Sequence, residues 1–444
     1  MDREMMNRYT QILSQQLIPA MGCTEPVAVA YAAAKLKELI GEVPSHVDVQ
    51  VSRNIIKNAK SVIVPHTGGL KGIEAAVAAG IIAGDASLEL DVLSRTGPEQ
   101  YAEMAGYVQS GVIGVRPMAA GALFDMILTG ESDESKAVVR ISGHHTNLTY
   151  LERDGEVLLD RREAGDEPGP ESRAEAGDGP ADDSGAKKPS EGMDWMNTQD
   201  ILEYVRTVPL EEIEPLIARQ LEYNGAIAEE GLRNDYGANI GSVLLKAAGG
   251  NPPVRTRAKA MAAAGSDARM GGCEMPVIIV CGSGNQGMTA SLPIVEYAKE
   301  YGSSRGDLIR AVALSDLMAV HVKKGIGTLS AFCGAVCAGC GAGAGIAYLL
   351  GGDNRLICHT FVNALAIVSG MICDGAKPSC AAKIAASVDA GILGYEMAVQ
   401  GQEFYSGEGI ITKGIEGNIR NIGRLGSLGM KQTDEEIMNI MFDC

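Results

Sequence analysis

Residues 331–350, AFCGAVCAGCGAGAGIAYLL, decide how the second half of this chain folds. The run has twenty residues and no charge, which is the length that a helix needs to cross a bilayer. It holds five Gly, six Ala and three Cys, and Tyr348 alone could contribute to an aromatic belt. The mean hydropathy of the whole chain is only +0.04. This composition favours a buried core helix over a membrane span.

The overall composition is that of a globular protein. The chain has 444 residues, 46% hydrophobic and 21% charged, which is enough for two domains with a sizeable core. Only 4% of the residues are aromatic while 56 are Gly, so we expect helices and loops to approach closely at glycines. The net charge of -18 would repel phosphate backbones and anionic lipids. We therefore expect a small-molecule enzyme, and neither nucleic acid nor a membrane surface as a partner.

Cysteine usage indicates a reducing compartment. The chain has ten cysteines, and residues 1–19 are polar, without the cationic start and apolar run of a signal peptide. We therefore expect a cytoplasmic protein without a disulfide framework. Its cysteines would then be buried packing residues, nucleophiles or metal ligands.

The first 163 residues predict helices followed by a mixed region. Residues 7–40 have the pattern of two helices interrupted at 19–26, with Pro26 in the first turn of the second. Alternating apolar residues at 47–51 and at 88–92 predict strands, and Asp154-Gly155 predicts a hairpin turn. Helical stretches are expected near 70–82 and 99–108. We assign residues 1–45 to N-terminal helices and 46–163 to an α+β domain.

The remainder of the chain predicts a linker and a helical domain. Residues 164–192 lack Ile, Leu, Val and Phe, so we expect a disordered linker over 164–195. Apolar spacing then predicts helices over 201–205, 210–232, 292–301, 307–322 and 364–372. The expected fold class is α+β, with a mixed α/β N-terminal domain and a mostly α-helical C-terminal domain over 196–444.

Five cysteines in the helical domain form the most conspicuous constellation. They are Cys333, Cys337 and Cys340 in AFCGAVCAGC, and Cys373 and Cys380 in CDGAKPSC. Zinc sites use closely paired ligands on compact loops, so this spacing is a poor zinc signal. Iron-sulphur clusters accept ligands from dispersed elements. Spacing alone leaves a cluster and ordinary buried cysteines equally open.

The loop GSGNQG, residues 282–287, follows an apolar run and precedes a helical pattern. Its backbone N–H groups, with Ser283, Asn285 and Gln286, could face an anion such as a substrate carboxylate. Arg269 could pair with the same carboxylate or form a surface ion pair. A similar loop holds the phosphate of pyridoxal phosphate, but no lysine has a Schiff-base signature, so we do not expect that cofactor.

Further polar residues flank the strand-like runs of the first half. They could bind the ammonium and carboxylate groups of an amino acid, or protonate a leaving group. These candidates are Asn54, Lys57, Asn58, His66 and Thr67.

Five motifs, in this order along the chain, carry a family resemblance. They are MGCTEP, SRNIIKNAKSVIVPHTGG, GSDARMGGCEMPVIIVCGSGNQG, LSAFCGAVCAGCGAGAG and GMICDGAKPSCAAK. The chain resembles the L-cysteine desulfidase family, which is related through its helical half to the α chain of iron-sulphur L-serine dehydratases. The resemblance implies a cytoplasmic lyase that uses an oxygen-sensitive 4Fe-4S cluster, without pyridoxal phosphate. Its reaction would convert L-cysteine to pyruvate, ammonia and sulphide.

The resemblance also implies roles for individual cysteines. The cluster ligands fall on Cys333, Cys373 and Cys380, which leaves one iron open as a Lewis acid. By analogy, Cys444 could occupy that iron when substrate is absent. Cys23 matches the position proposed for the base that removes the α-hydrogen.

Other groups take ordinary or undecided roles. Glu25 could oppose a thiolate at position 23 or act as the base itself. Cys337 and Cys340 are expected to be packing residues. His144-His145 and Cys358-His359 have no partners at metal spacing.

Two other functions stay open at this point. One is an L-serine dehydratase with the same cluster. The other is a non-catalytic iron-sulphur sensing protein, which would close its cluster with a fourth thiolate. A homo-oligomer also stays open.

Overall fold

A computed structural model describes residues 1–22, 24–118, 124–162, 193–327 and 330–443. Contacts divide the chain into two compact units. The sheet unit is Thr24–Glu191, and the helical unit joins Met1–Cys23 to Gly192–Cys444. The predicted linker at 164–195 lies outside the described residues except for its last three. The domain boundaries at 45 and 163 stay predictions.

The sheet unit contains a six-stranded mixed sheet with helices. The strands are β2 (His46–Val51), β3 (Ile113–Pro117), β4 (Asp125–Glu131), β5 (Lys136–Ser142), β6 (Leu148–Arg153) and β7 (Glu156–Asp160). Their order is β3-β2-β4-β5-β6-β7, and only β2 and β3 run parallel. The helices are α2 (Thr24–Ile40), α3 (Arg53–Ala59), α4 (Gly72–Ala83) and α5 (Tyr101–Gln109). Helix α2 packs on β4, β5 and α4.

The helical unit contains a short strand pair and most of the helices. Strand β1 (Pro19–Met21) pairs antiparallel with β8 (Pro276–Ile278). The helices are α1 (Arg3–Gln16), α6 (Thr198–Thr207), α7 (Leu210–Arg233), α8 (Ile240–Ala248), α9 (Val254–Met270), α10 (Gly284–Tyr301), α11 (Arg305–Ile326), α12 (Gly334–Leu349), α13 (Asn354–Val368), α14 (Cys380–Val399), α15 (Ile415–Arg424) and α16 (Lys431–Asp443). The α+β fold class is therefore confirmed.

Helix α12 is the buried core helix that the charge-free run predicts. All residues from Ala335 to Ala347 are buried. None of the helices in the described part of the chain is long and apolar enough to cross a membrane.

Glycines let α12 contact helices on two sides. A Cβ atom at Gly339 or Gly343 would lie within 2.7 Å of backbone atoms of α14. A Cβ atom at Gly341 or Gly345 would lie within 2.8 Å of backbone oxygens of α11. The α12 backbone therefore contacts both neighbours directly, at distances that no larger residue permits.

Two of the predicted elements are wrong. Residues 88–92 are not a strand, because Ala86–Asp91 forms a 3₁₀ helix whose first turn is capped by the Asp85 side chain. The helix predicted over 364–372 ends at Val368, and Ile372 instead forms a β-bridge with Phe332. By contrast, the hairpin is confirmed, since Asp154 and Gly155 both have the positive φ values that its turn requires.

Candidate active site

Backbone pairing brings two of the predicted ligand cysteines together. The bridge between Phe332 and Ile372 lets the Cys373 N–H donate to the Ala331 carbonyl at 2.6 Å and the Cys333 N–H donate to the Met371 carbonyl at 3.1 Å. Cys333 is the N-cap of α12. Cys333 and Cys373 therefore lie on two adjacent chain segments that are paired by this bridge.

Cys380 is the third member of this thiol group, which we define as Cys333, Cys373 and Cys380. It is the first residue of α14, and its thiol donates to the Gly375 carbonyl at 3.6 Å. Burial, together with the neighbouring thiols of Cys373 and Cys380, raises the pKa of Cys333 to about 12. Burial and Cys373 likewise raise the pKa of Cys380. Cys373 is thus close enough to Cys333 and Cys380 to affect the ionisation of both.

Two lysines hold the loop between these cysteines. Lys383 donates to the Ile372 carbonyl at 2.8 Å and pairs with Asp374, and Lys377 donates to the carbonyls of Asp374 and Gly375. Burial opposes the charge of Asp374, but both ammonium groups lower its pKa. The charge of Lys383 also favours the thiolate forms of Cys333 and Cys380. Lys383, in the first turn of α14, is therefore a cation beside the thiol group.

The described residues contain no group of three His, Cys, Asp or Glu arranged to hold one metal ion. A four-iron cluster is held differently, because each thiolate binds a separate iron and the ligands are spread around the cluster. Three neighbouring thiols beside a cation are a donor set of the kind that such a cluster uses. Their residue types therefore fit a cluster better than a single-ion site.

The GSGNQG loop forms a tight turn into α10, as predicted. Cys281 and Gly282 have φ values of 52° and 74°, and Ser283 is the N-cap. Arg269 lies against Gly284, where a Cβ atom would be 2.7 Å from its Nε. Its guanidinium donates to the Asn285 side-chain oxygen at 3.4 Å. The structure thus brings Arg269 and the loop residues together at the first turn of α10.

Gln286 connects this turn to the thiol group. A Cβ atom at Gly334 would lie 2.6 Å from the Gln286 amide, so the side chain lies against the residue that follows Cys333. The sequence predicts Gln286 but not this contact, because the two segments are about fifty residues apart. The sequence feature that permits this contact is Gly334, the glycine directly after Cys333 in AFCG, because a side chain there would collide with the Gln286 amide.

Two polar atoms at this turn are buried without a partner. They are Nε of Arg269 and Oε1 of Gln286, and both side chains are less than 7% exposed. Arg269 also has no carboxylate partner among the described residues. A buried cation is costly without a counter-charge, so an anion at the first turn of α10 would satisfy it.

The sheet unit gathers a second set of predicted residues. Asn54, Lys57 and Asn58 are buried on α3, and the Asn58 amide donates to Glu25 at 3.1 Å. The Asn54 side-chain oxygen is buried without a partner. Glu25 lies in the first turn of α2.

His66 and Thr67 lie on the loop after α3. His66 has a left-handed φ of 56°, which is uncommon for a residue other than glycine. The Thr67 hydroxyl donates to the Val64 carbonyl at 2.7 Å and accepts from the Leu70 N–H. Thr67 therefore closes the loop on which His66 lies.

His145 is a residue that the sequence assigns no role. Its ring packs on Phe124 with centroids 4.5 Å apart, and its Nε2 is buried without a partner. Burial lowers the pKa of His145, and the nearby Glu25 opposes that shift. No spacing signal could connect two residues that are 120 positions apart.

The remaining predicted cysteines divide into two groups. Cys23 and Cys444 lie outside the described residues. Cys337 and Cys340 are fully buried in α12, where the sequence predicts packing residues.

Comparison with known proteins identifies relatives over nearly the whole chain. The family described as the serine dehydratase alpha chain matches residues 104–439. A UPF0597 protein from Desulfitobacterium hafniense is 50% identical over 435 residues, covering 98% of this chain and 96% of that protein. Another from Lachnoclostridium phytofermentans is 44% identical over 439 residues, covering 99% of this chain and 100% of that protein. A third from Bacteroides fragilis is 35% identical over 437 residues, covering 97% of this chain and 96% of that protein.

These matches confirm the relationship to serine dehydratases that the motifs predict, and they point to a lyase of the dehydratase type. The names of the three relatives state no substrate. The chain belongs to the serine dehydratase alpha chain family.

Proposed function

We propose that the protein is a 4Fe-4S-dependent L-cysteine desulfidase that converts L-cysteine to pyruvate, ammonia and sulphide by β-elimination. The observation that carries this proposal is the contact between Gln286 and Gly334. This contact links the thiol group, which could hold a cluster, to the N-terminus of α10, which could bind a carboxylate. An amino acid bound at the helix end would thus have its side chain near the thiol group.

Arg269 and the first turn of α10 would hold the substrate carboxylate. The guanidinium is buried and lacks a carboxylate partner among the described residues. The N–H groups of a helix's first turn and the helix dipole both favour an anion. Asn285, which accepts from Arg269, would fix the guanidinium in place.

Cys333, Cys373 and Cys380 would hold the cluster. When bound, a cluster with one iron free of protein thiolate supplies a Lewis acid for the leaving sulphur. Lys383 would offset the negative charge of the three thiolates. Cys444 would be the group that protects the open site when substrate is absent.

Cys23 would act as the base. Its thiolate would take the α-proton, the Cα–H electron pair would form the new double bond, and the Cβ–S bond would break with its electrons on sulphur. The aminoacrylate released would tautomerise to an imine and hydrolyse to pyruvate and ammonia. Position 23 directly precedes α2, where the helix N-terminus would stabilise a thiolate.

L-serine dehydratase is the second candidate, and the matching family favours it. The same residues would serve, with the substrate hydroxyl leaving as water. Sulphide release from L-cysteine, compared with pyruvate release from L-serine at equal concentrations, distinguishes the two.

The composition supports further parts of the proposal. We expect a small amino acid as substrate, and neither nucleic acid nor a membrane surface as partner, because the net charge is -18. All eight cysteines among the described residues are free, which fits a reducing cytoplasm. A measurement of the protein's mass in solution would test for a homo-oligomer.

The first experiment measures iron and acid-labile sulphide in anaerobically purified protein. We expect about four of each per chain, falling together with lyase activity in air. Cys23→Ala should keep the iron and lose turnover, whereas Cys333→Ala, Cys373→Ala and Cys380→Ala should each lose iron. Cys340→Ala is the matched control and should keep both iron and activity. A protein that binds neither iron nor sulphide after anaerobic reconstitution would refute the proposal.

A further inference from the structure

Two buried amide side chains on α7 hold the turn that leads into α10. Gln220 and Asn224 are one helical turn apart, and both are fully buried. Asn224 accepts from the Ile278 N–H at 2.9 Å and donates to the Ile278 carbonyl at 3.2 Å. Gln220 donates to the Gly287 carbonyl at 3.4 Å. The two amides therefore bind the chain at β8, before the GSGNQG loop, and at the last residue of that loop.

Asp316 is a buried acid that the function proposed above does not use. It lies on α11 and is 0% exposed. Its Oδ1 accepts from the same Gln220 nitrogen, Nε2, at 3.1 Å. A primary amide nitrogen carries two hydrogens, so one can bind Asp316 while the other binds Gly287. A single amide group thus connects the Asp316 carboxyl to the first turn of α10.

Two oxygens of this pair indicate where a proton is bound. Oδ2 of Asp316 and Oε1 of Gln220 are both buried, and neither has a donor among the described residues. An ionised carboxylate can only accept, so it would leave both oxygens unsatisfied. A protonated Asp316 has one O–H, which could donate from Oδ2 to Oε1 while Oδ1 accepts from Nε2. The acid and the amide would then form a ring of two hydrogen bonds.

The surroundings of Asp316 favour the same protonation state. Burial raises the pKa of Asp316 to about 8, and the hydrogen bond from Gln220 opposes the rise only in part. In the part of the chain that the structure describes, Asp316 has no ion pair. An ionised Asp316 would also raise the pKa of Cys281, in the turn before α10. Its charge would therefore extend to the loop that the carboxylate site uses.

We propose that Asp316 is a protonated carboxylic acid in the folded protein and that, through Gln220, it positions the first turn of α10 for a substrate carboxylate. This inference rests on the proposed function and adds a positioning residue to its carboxylate site. The ring of two hydrogen bonds fixes the amide in the orientation that binds the Gly287 carbonyl. A neutral acid also keeps a second anion away from this helix end, where like charges would repel strongly because the site is buried.

Infrared spectroscopy of the anaerobically purified full chain at pH 7 tests the protonation. Protonated carboxyl groups absorb apart from ionised carboxylates, and we expect a carboxylic-acid band in the wild type that is absent from Asp316→Asn. Asp125→Asn is the matched control. Asp125 is equally buried, but Arg140 donates to its two oxygens at 3.0 and 2.7 Å, so it is held as a carboxylate. We expect this variant to keep the band.

Calorimetry with propionate, which carries the carboxylate alone, tests the positioning. Asparagine offers the same single donor and acceptor pair as the neutral acid, so Asp316→Asn should bind propionate within about twofold of the wild type. Asp316→Leu and Gln220→Leu should each weaken binding by about fivefold or more, since each removes hydrogen bonds of the ring. Iron content and thermal unfolding are measured in every variant, so that lost metal or lost fold is not mistaken for lost positioning.

Four outcomes would overturn the inference. They are a wild type without the acid band, a band that persists in Asp316→Asn, a loss of propionate binding in Asp316→Asn as large as in Asp316→Leu, and a wild type that does not bind propionate. If a leucine variant does not fold, the band and the asparagine variant still decide the result. The proposed function fails separately, if wild-type protein releases neither sulphide from L-cysteine nor pyruvate from L-serine. The infrared band does not depend on either reaction.

Discussion

Arg269 is a buried cation that has no carboxylate partner among the described residues. A buried ion without its partner destabilises a fold, and replacing it with an apolar side chain of similar size is often neutral or stabilising. We therefore expect Arg269→Met to have a free energy of unfolding equal to or above that of the wild type without ligand. A carboxylate ligand at about 100 times its dissociation constant should stabilise the wild type by about 2.7 kcal/mol and leave the variant unchanged. Thermal unfolding with and without propionate measures both effects.

Arg255→Met provides the contrast for Arg269. Arg255 pairs with Asp389 at 2.9 Å and with Glu396 at 2.7 Å. Its replacement should lower the melting temperature and keep the stabilisation by propionate. If Arg269→Met keeps that stabilisation too, the carboxylate does not bind at the first turn of α10.

At the scale of residues, the sequence predicts which side chains meet only where a local pattern contains them. Ser283, Asn285 and Gln286 share one glycine-rich turn, so their common position follows from the sequence. The contact of Gln286 with Gly334 and the proximity of His145 to Glu25 depend on tertiary packing. Neither can be predicted from the spacing of these residues along the chain.

At the scale of elements, α12 depends on its glycines. A Cβ atom at Gly343 would lie 2.7 Å from the Gly391 carbonyl oxygen on α14. We expect Gly343→Ala to lower the free energy of unfolding by about 1–3 kcal/mol, because the two helices would have to separate. Urea denaturation followed by circular dichroism measures the change.

Gly225→Ala is the matched control for this prediction. Gly225 is also inside a helix, α7, but a Cβ atom there meets nothing within 4 Å. The substitution should raise stability by about 0.5–1 kcal/mol, since alanine has the higher helix propensity. Equal effects of the two alanines would show that helix propensity, and not the helix crossing, determines both.

Helices and strands were predictable where the pattern of apolar residues extended over many positions. The charge-free run of twenty residues predicts a buried helix correctly, and apolar spacing predicts the helical stretch 201–205 inside α6. Three alternating apolar residues at 88–92 were too few to indicate a strand. There the hydrogen bond from the Ser87 N–H to the Asp85 side chain stabilises a 3₁₀ turn instead.

At the scale of the whole molecule, Glu416 connects three helices of the helical unit. Its carboxylate accepts from the Thr198 N–H and hydroxyl at 2.8 and 2.7 Å, at the start of α6, and from His321 on α11 at 3.0 Å. Burial opposes its charge, but these donors lower the pKa of Glu416 to about 2. Burial also lowers the pKa of His321. Both groups therefore bind fewer protons in the folded state than in the unfolded state.

The sign of the pH dependence follows from these shifts. Glu416 contributes its stability above pH 4.5, and the contribution is lost as the pH falls from 4.5 towards 2. The contribution of His321 begins to fall below pH 6.5. We expect Glu416→Gln to lower the free energy of unfolding near pH 7 by about 1 kcal/mol, since the site is partly exposed to solvent. The variant should also lose stability less steeply than the wild type between pH 5 and pH 3.

Glu212→Gln serves as the control for the acid titration. Glu212 pairs with an exposed arginine, Arg3, at 2.7 Å, and such pairs contribute little. Its titration curve should follow that of the wild type. Parallel curves for Glu416→Gln and the wild type would show that this carboxylate does not connect the helices.

The crossing of α12 and α14 also determines where two sulphur atoms lie. Cys333 caps α12 and Cys380 begins α14, so each sulphur moves with its own helix. Because glycine backbones touch where the helices cross, the axes cannot separate without losing that contact. The span between the two sulphurs is thus set by packing inside the bundle. Heating that loosens the crossing would release whatever the sulphurs hold before the chain itself unfolds.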